Sequence, residues 1–203
     1  IKDGKNVQTT YRNNGYYLGV CAGKEPTKFS DCTSINNLER EPVFVELESG
    51  EILAAGISAD FVSDGKYLKV THTLVNVSDK TMERVCIGVN ADIQIGSNDA
   101  ASIYRTGTGF RMEDPGSQQQ FSLACKKAPG ADDISTMWFG YYGERQNNQF
   151  NDTSADDLIG DDSGLAFPWK DMVLSPGERI TRSVLFSVGD IADPPVRSKD
   201  PFS

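Results

Sequence analysis

Apolar side chains recur along this chain at every second position and scarcely anywhere at helical spacing, which confines it to folds built from sheets. Residues 15–21, 43–48 and 52–62 are short alternating or β-branched runs. Ser63-Asp64-Gly65-Lys66 follows them, an Asp-Gly turn of the kind that closes a tight hairpin. Residues 67–77 then read as a long strand with Leu68, Val70, His72 and Leu74 on one face. Ser78-Asp79-Lys80-Thr81 turns the chain into a second long strand over 82–95, so 63–95 reads as a β-meander. Further strands are expected at 101–106, 120–125, 134–142, 165–174 and 179–188, with Gly107-Thr108-Gly109 as a fragment of a turn. The expected fold is therefore all-β: an antiparallel two-sheet β-sandwich of ten or more strands.

At 203 residues the chain suits one large sandwich better than two domains. A single domain over 1–190 is expected. The chain reads as either a processed mature protein or a domain cut from a longer one, and a proline- and charge-rich, linker-like tail over 191–203 favours the second. Apolar residues make up 38%, enough for a core in which each sheet hides every second side chain. The net charge is −9, and the basic residues are scattered with only Lys126 and Lys127 adjacent. That pattern excludes a phosphate-binding stripe, and with it nucleic acid as a partner. It also disfavours an anionic membrane surface, and no apolar run approaches the about 20 residues that span a bilayer.

The four cysteines, Cys21, Cys32, Cys86 and Cys125, have no CxxC or His-spaced pattern of a zinc site. Two glycosylation triplets occur, Asn76-Val77-Ser78 and Asn151-Asp152-Thr153, with Asn76 and Asn151 as acceptors. Together these features point to an oxidising compartment and a secreted or cell-surface glycoprotein. Of the three possible pairings, Cys21–Cys32 would close a local loop and Cys86–Cys125 would join two strand-like segments. The plainer alternative is four free thiols in a cytosolic protein.

Two segments resemble features of extracellular β-sandwich modules. Leu74-Val75-Asn76-Val77-Ser78-Asp79 is similar to their strand end, in which Asn and Asp side chains close the turn. Val173-Leu174-Ser175-Pro176-Gly177-Glu178 resembles the Pro-Gly turn that leads into their final strand. About 95 residues lie between the two, more than small modules carry. That excess resembles the larger supersandwich of the galactose-mutarotase-like fold. The resemblance implies fold and location. It does not bring the activity with it, because a mutarotase-type sugar site is expected to need more than one histidine beside a carboxylate, and this chain has one.

That histidine, His72, lies mid-strand among apolar residues and is expected to be a hydrogen-bonded core residue rather than a base. No nucleophile elbow, zinc-protease, Walker or dinucleotide motif is present. Glycoside hydrolysis would need two carboxylates facing across a cleft. The pairs Asp132–Asp133, Asp156–Asp157 and Asp161–Asp162 are sequence neighbours, which rarely meet that need.

Residues 143–163 form a long polar segment, and loops of that length are usually functional or mobile. Asp156, Asp161 and Asp162 make it a candidate Ca²⁺ loop, although Asp157 and Ser163 break the EF-hand pattern. Asn90 and Asp92 with Asn98 and Asp99 form a second oxygen-rich cluster. Trp138-Phe139-Gly140-Tyr141-Tyr142-Gly143 is the densest aromatic segment. If one of its faces is open, Trp138 and Tyr141 with Asn147 and Asn148 would form a carbohydrate-type surface. The bland alternative is that both faces are buried, and Trp169 is expected in the core. The function these features favour is a non-catalytic extracellular recognition or adhesion domain, binding a glycan or a surface protein and needing no cofactor. A structural spacer and a glycoside-active enzyme are the alternatives.

Overall fold

The structure, a computed structural model, describes residues 7–13, 15–35, 42–152, 157–158 and 160–189. The tail over 191–203 and Asp156 lie outside the described residues. Among the described residues, thirteen strands form two antiparallel sheets. The strands are β1 (Tyr16–Cys21), β2 (Thr33–Ile35), β3 (Val43–Glu46), β4 (Ile52–Val62), β5 (Tyr67–Asn76), β6 (Met82–Asp92) and β7 (Ser102–Arg105). They continue with β8 (Gly109–Asp114), β9 (Gln119–Ala124), β10 (Trp138–Tyr141), β11 (Asp157–Leu158), β12 (Ser163–Leu174) and β13 (Arg179–Val188). One sheet runs β10-β12-β6-β1-β2, and the other runs β11-β7-β8-β9-β13-β5-β4-β3.

The main core lies between the sheets, where inward side chains of both meet. β5 shows the expected alternation, with Val70, His72, Leu74 and Asn76 buried. β6 and β12 sit inside the five-stranded sheet and are buried along nearly their whole length, so both of their faces must be covered. Inward, Val85, Ile87 and Val89 join Phe167 and Trp169 in the core. Outward, Cys86 packs with Cys21, Cys32 and Phe150 in a separate cluster. Trp169 is 2% exposed, in the core as expected.

Both turn readings hold. Ser63, Asp64 and Gly65 all take positive φ (54°, 56° and 82°), the left-handed path that matches the strand twist between β4 and β5. Gly177, at φ 75°, is the third residue of a turn closed by Glu178 N–H donating to Ser175 C=O at 2.9 Å.

The meander over 63–95 does not hold. β5 pairs with β4 and β13, whereas β6 pairs with β1 and β12 in the other sheet. Asn76 braces the crossing. It is fully buried, and its amide donates to Lys80 C=O at 2.7 Å and to Leu174 C=O at 2.9 Å. Its Oδ1 accepts from Ser78 N–H and from the Ser78 hydroxyl. The side chain thereby holds the chain where it leaves one sheet for the other. Asn76 is consequently no glycan acceptor in this fold, since both amide hydrogens are used and the group is out of reach. Asn151, by contrast, is exposed.

The expected pairing of Cys86 with Cys125 is also overturned. Cys86 faces outward from the five-stranded sheet, whereas Cys125 follows β9 and belongs to the core between the sheets. All four thiols are free. Burial pushes the Cys125 thiol up to about 12.

Candidate functional site

Residues 142–151 do not loop into solvent. They fold back over the outer face of the five-stranded sheet as turns, with one short 3₁₀ segment at Tyr142–Glu144. Strand glycines make the room. At Gly164 a side chain would lie 2.7 Å from Tyr142 Cα, and at Gly88 it would run into the Gln149 amide. Gln149 and Phe150 are buried there, and Asn90 donates to Gln149 Oε1 at 2.9 Å. The backbone of the segment is tied at its start and its middle: Tyr142 N–H donates to Asp162 C=O at 2.9 Å, and Phe29 N–H donates to Gln146 C=O at 2.9 Å.

This anchoring decides which of the aromatic residues are presented. Phe139 points into the core, with the Arg105 guanidinium over its ring at 5.5 Å. Trp138 is 6% exposed, its ring folded over Gly140. It offers no free ring face, which removes it from the expected binding set. Tyr141 is 47% exposed, because β10 ends there and the chain turns away. Its ring rests over Gly143 and meets Tyr142 edge-on, at 5.0 Å and 71°.

Behind it, the Arg145 guanidinium lies over the rings of Tyr142 and Tyr17, at 5.5 and 5.3 Å. Arg145 Nη1 donates to Tyr142 C=O at 2.7 Å, while its buried Nε has no partner. Asn147 is exposed and donates to Glu144 Oε2 at 3.1 Å. Asn148 is half-buried and donates to Glu144 C=O at 3.0 Å.

The acidic residues converge on the same place. Burial, then Asp99, Asp92 and Asp161, raise the Asp162 carboxyl, and Arg145 opposes them. Burial and then Asp99 raise Asp92, again opposed by Arg145. The Tyr141 hydroxyl is raised chiefly by Tyr142, with Asp162 and Asp161 adding to it. The acidic loop and the Asn-Asp cluster, some 60 residues apart in sequence, thus share one charged neighbourhood with the exposed tyrosine. Among the described residues, no three His, Cys, Asp or Glu side chains are arranged to hold a metal ion. The sequence reading passed over Tyr17. The signal for it was an adjacent tyrosine pair on one strand, which must send one ring to each face.

A second feature lies between the sheets at one end of the sandwich. It is a cavity of about 660 Å³, lined by Tyr16, Ile57, Leu68, Phe121, Leu165 and Phe186 among others.

No family model matches this chain, and no curated protein does. Among solved structures it is similar to one provisionally named kojibiose phosphorylase from human microbiome, at 11% identity and a TM-score of 0.38. That match covers 77% of this chain and 17% of the other, so the chain spans about a sixth of the protein it resembles. A likeness of that size says nothing of what this chain binds.

Proposed function

We propose that this chain is a non-catalytic extracellular recognition domain that binds glycan through the surface around Tyr141. The observation that supports it is an exposed aromatic ring, held over Gly143, with Asp161 and Asp162 near it and the hydrogen-bonded Glu144–Asn147 pair in the turn that follows. A sugar needs an apolar ring to lie on and acceptors for its hydroxyl groups, and both are present. Against histidine-based catalysis, the non-catalytic part of the reading is supported by His72. Burial lowers its pKa to about 4, and both ring nitrogens are engaged, so it cannot serve as a general base.

A glycan array probed with the intact chain tests the reading. Binding that falls at least tenfold in Tyr141→Ala, with an unchanged melting temperature, supports it. Silence on a broad array sinks it and leaves the structural spacer. Release of sugar from any bound oligosaccharide would overturn the non-catalytic part.

The inter-sheet cavity supports a second reading, a site for an apolar small molecule, because its volume falls in the about 300–1,000 Å³ range of ligand pockets. Native mass spectrometry of the purified chain would show such a passenger, and Leu68→Trp would expel it.

A further inference from the structure

On the outer face of the five-stranded sheet, three thiols lie in one row across the strands. Cys21 on β1 is directly opposite Cys86 on β6. On the other side of β1, Val20 pairs with Thr33, the first residue of β2, so Cys32 comes in just beyond it, beside Cys21. Gly19 permits this approach: a side chain there would stand 3.0 Å from Cys32 Cβ and 2.8 Å from the Phe29 ring. Phe150 closes over the row. Cys21 and Cys86 are buried, Cys32 is half-buried, and Cys125 is far from them in the core.

We infer that Cys21 is a redox modification site: the shared partner of two alternative disulfides, one to Cys32 and one to Cys86. Hydrogen bonds from Cys32 and then Cys86 lower the Cys21 thiol below its ordinary range against the opposing effect of burial, with Lys24 adding to the lowering, and so favour its thiolate. The same bonds raise Cys32 and Cys86, which stay protonated. The thiolate is the attacking species in thiol–disulfide exchange, so the middle member of the row reacts first.

The oxidant is a low-molecular-weight disulfide, RSSR. Once Phe150 lifts from the row, Cys21 S⁻ attacks one of its sulfurs, forms a mixed disulfide and releases RS⁻. Cys32 or Cys86 then loses its proton and attacks Cys21 Sγ, expelling the second RS⁻. One protein thiolate and one protein thiol are oxidised to the disulfide and RSSR is reduced; the thiol proton of Cys32 or Cys86 ends on one leaving group, and the other takes its proton from solvent. The remaining thiol can next attack Cys21 Sγ and displace its rival, which moves one proton between Cys32 and Cys86 with no net oxidation. The two products differ mechanically. Cys21–Cys86 ties two strands that are already paired, whereas Cys21–Cys32 fastens the 29–32 turn to β1. That turn carries the Phe29 N–H bond to Gln146.

The test is oxidation of the intact chain in glutathione buffers of rising disulfide content, followed by alkylation of free thiols and peptide mapping. The expected result is a single disulfide per molecule that always contains Cys21, divided between Cys32 and Cys86, with Cys125 alkylated only after denaturation. Cys32→Ser should yield only Cys21–Cys86, and Cys86→Ser only Cys21–Cys32. Cys21→Ser should yield no intramolecular bond. A Cys32–Cys86 bond, any bond to Cys125, one fixed Cys21 pairing throughout the series, or no disulfide at all overturns the inference. If a serine variant fails to fold by circular dichroism, the mapping of the unaltered chain decides alone.

Discussion

The Tyr16 hydroxyl donates to His72 Nε2 at 2.8 Å, joining the two sheets through the middle of the core. The direction follows from the other nitrogen. Arg182 C=O, 3.2 Å from Nδ1, can only accept, so Nδ1 carries the proton and Nε2 accepts from the phenol. Burial raises Tyr16, which keeps it a donor at every working pH. The imidazole also lies 5.2 Å from the Trp169 ring.

This arrangement fixes a pH dependence. Burial lowers the His72 pKa to about 4, below its unfolded value of about 6.5, so the unfolded chain binds the extra proton. The stability that neutral His72 contributes is complete above about pH 6.5 and is lost as pH falls towards 4. Urea unfolding at pH 7 and pH 4.5 should differ by about 2–3 kcal/mol from this group alone. His72→Gln should lower stability at pH 7 and flatten the difference. An equal pH response in both proteins would rule the account out.

Asn76 should behave as a structural residue. Asn76→Ala leaves Lys80 C=O and Leu174 C=O without their donor and should cost about 2–4 kcal/mol. In a glycosylating host, mass spectrometry should find sugar on Asn151 only, and Asn151→Gln should remove it all. Sugar at Asn76 in the folded protein would contradict its burial.

The two aromatic residues at the ends of β10 should separate. Trp138→Ala empties a buried site and should cost about 3–5 kcal/mol in chemical denaturation. Tyr141→Ala removes an exposed ring and should stay within about 0.5 kcal/mol. Comparable losses in both would place Tyr141 in the packing rather than at the surface.

Gly164→Ala tests how the site is seated. Its new methyl would meet backbone at Tyr142 Cα, so the 141–148 segment must lift from the sheet. The expected cost is about 1–3 kcal/mol, with faster amide exchange over 142–150. Gly56→Ala, which meets nothing within 4 Å, is the control and should be neutral or slightly stabilising.

Much of the fold was legible because strand signals are local. The expected run over 52–62 is β4 and that over 179–188 is β13, and most other runs are right to within a few residues. Three strands escaped. β2 and β11 are too short, at 3 and 2 residues, to show a period, and β8 begins at a glycine read as a turn. At the candidate site, Tyr141 and Asn147 were legible as exposed polar-aromatic surface. Trp138 was not, because its burial depends on folding over Gly140. No pattern along the chain could bring Asp92 and Asp99 beside Asp162.

By itself, the sequence determined where strands and turns form, since alternation and Pro-Gly or Asp-Gly chemistry act within a few residues. It also determined that His72 is a core residue, because its neighbours two positions away are apolar. Tertiary structure alone decided which sheet each strand joins, and so that β5 and β6 part company at Asn76. It likewise decided that Cys86 lies beside Cys21 rather than Cys125, and that residues 142–151 lie against a sheet rather than in solvent. Those outcomes depend on which buried groups find partners across tens of residues, and side chains far apart along the chain meet only when the whole core closes.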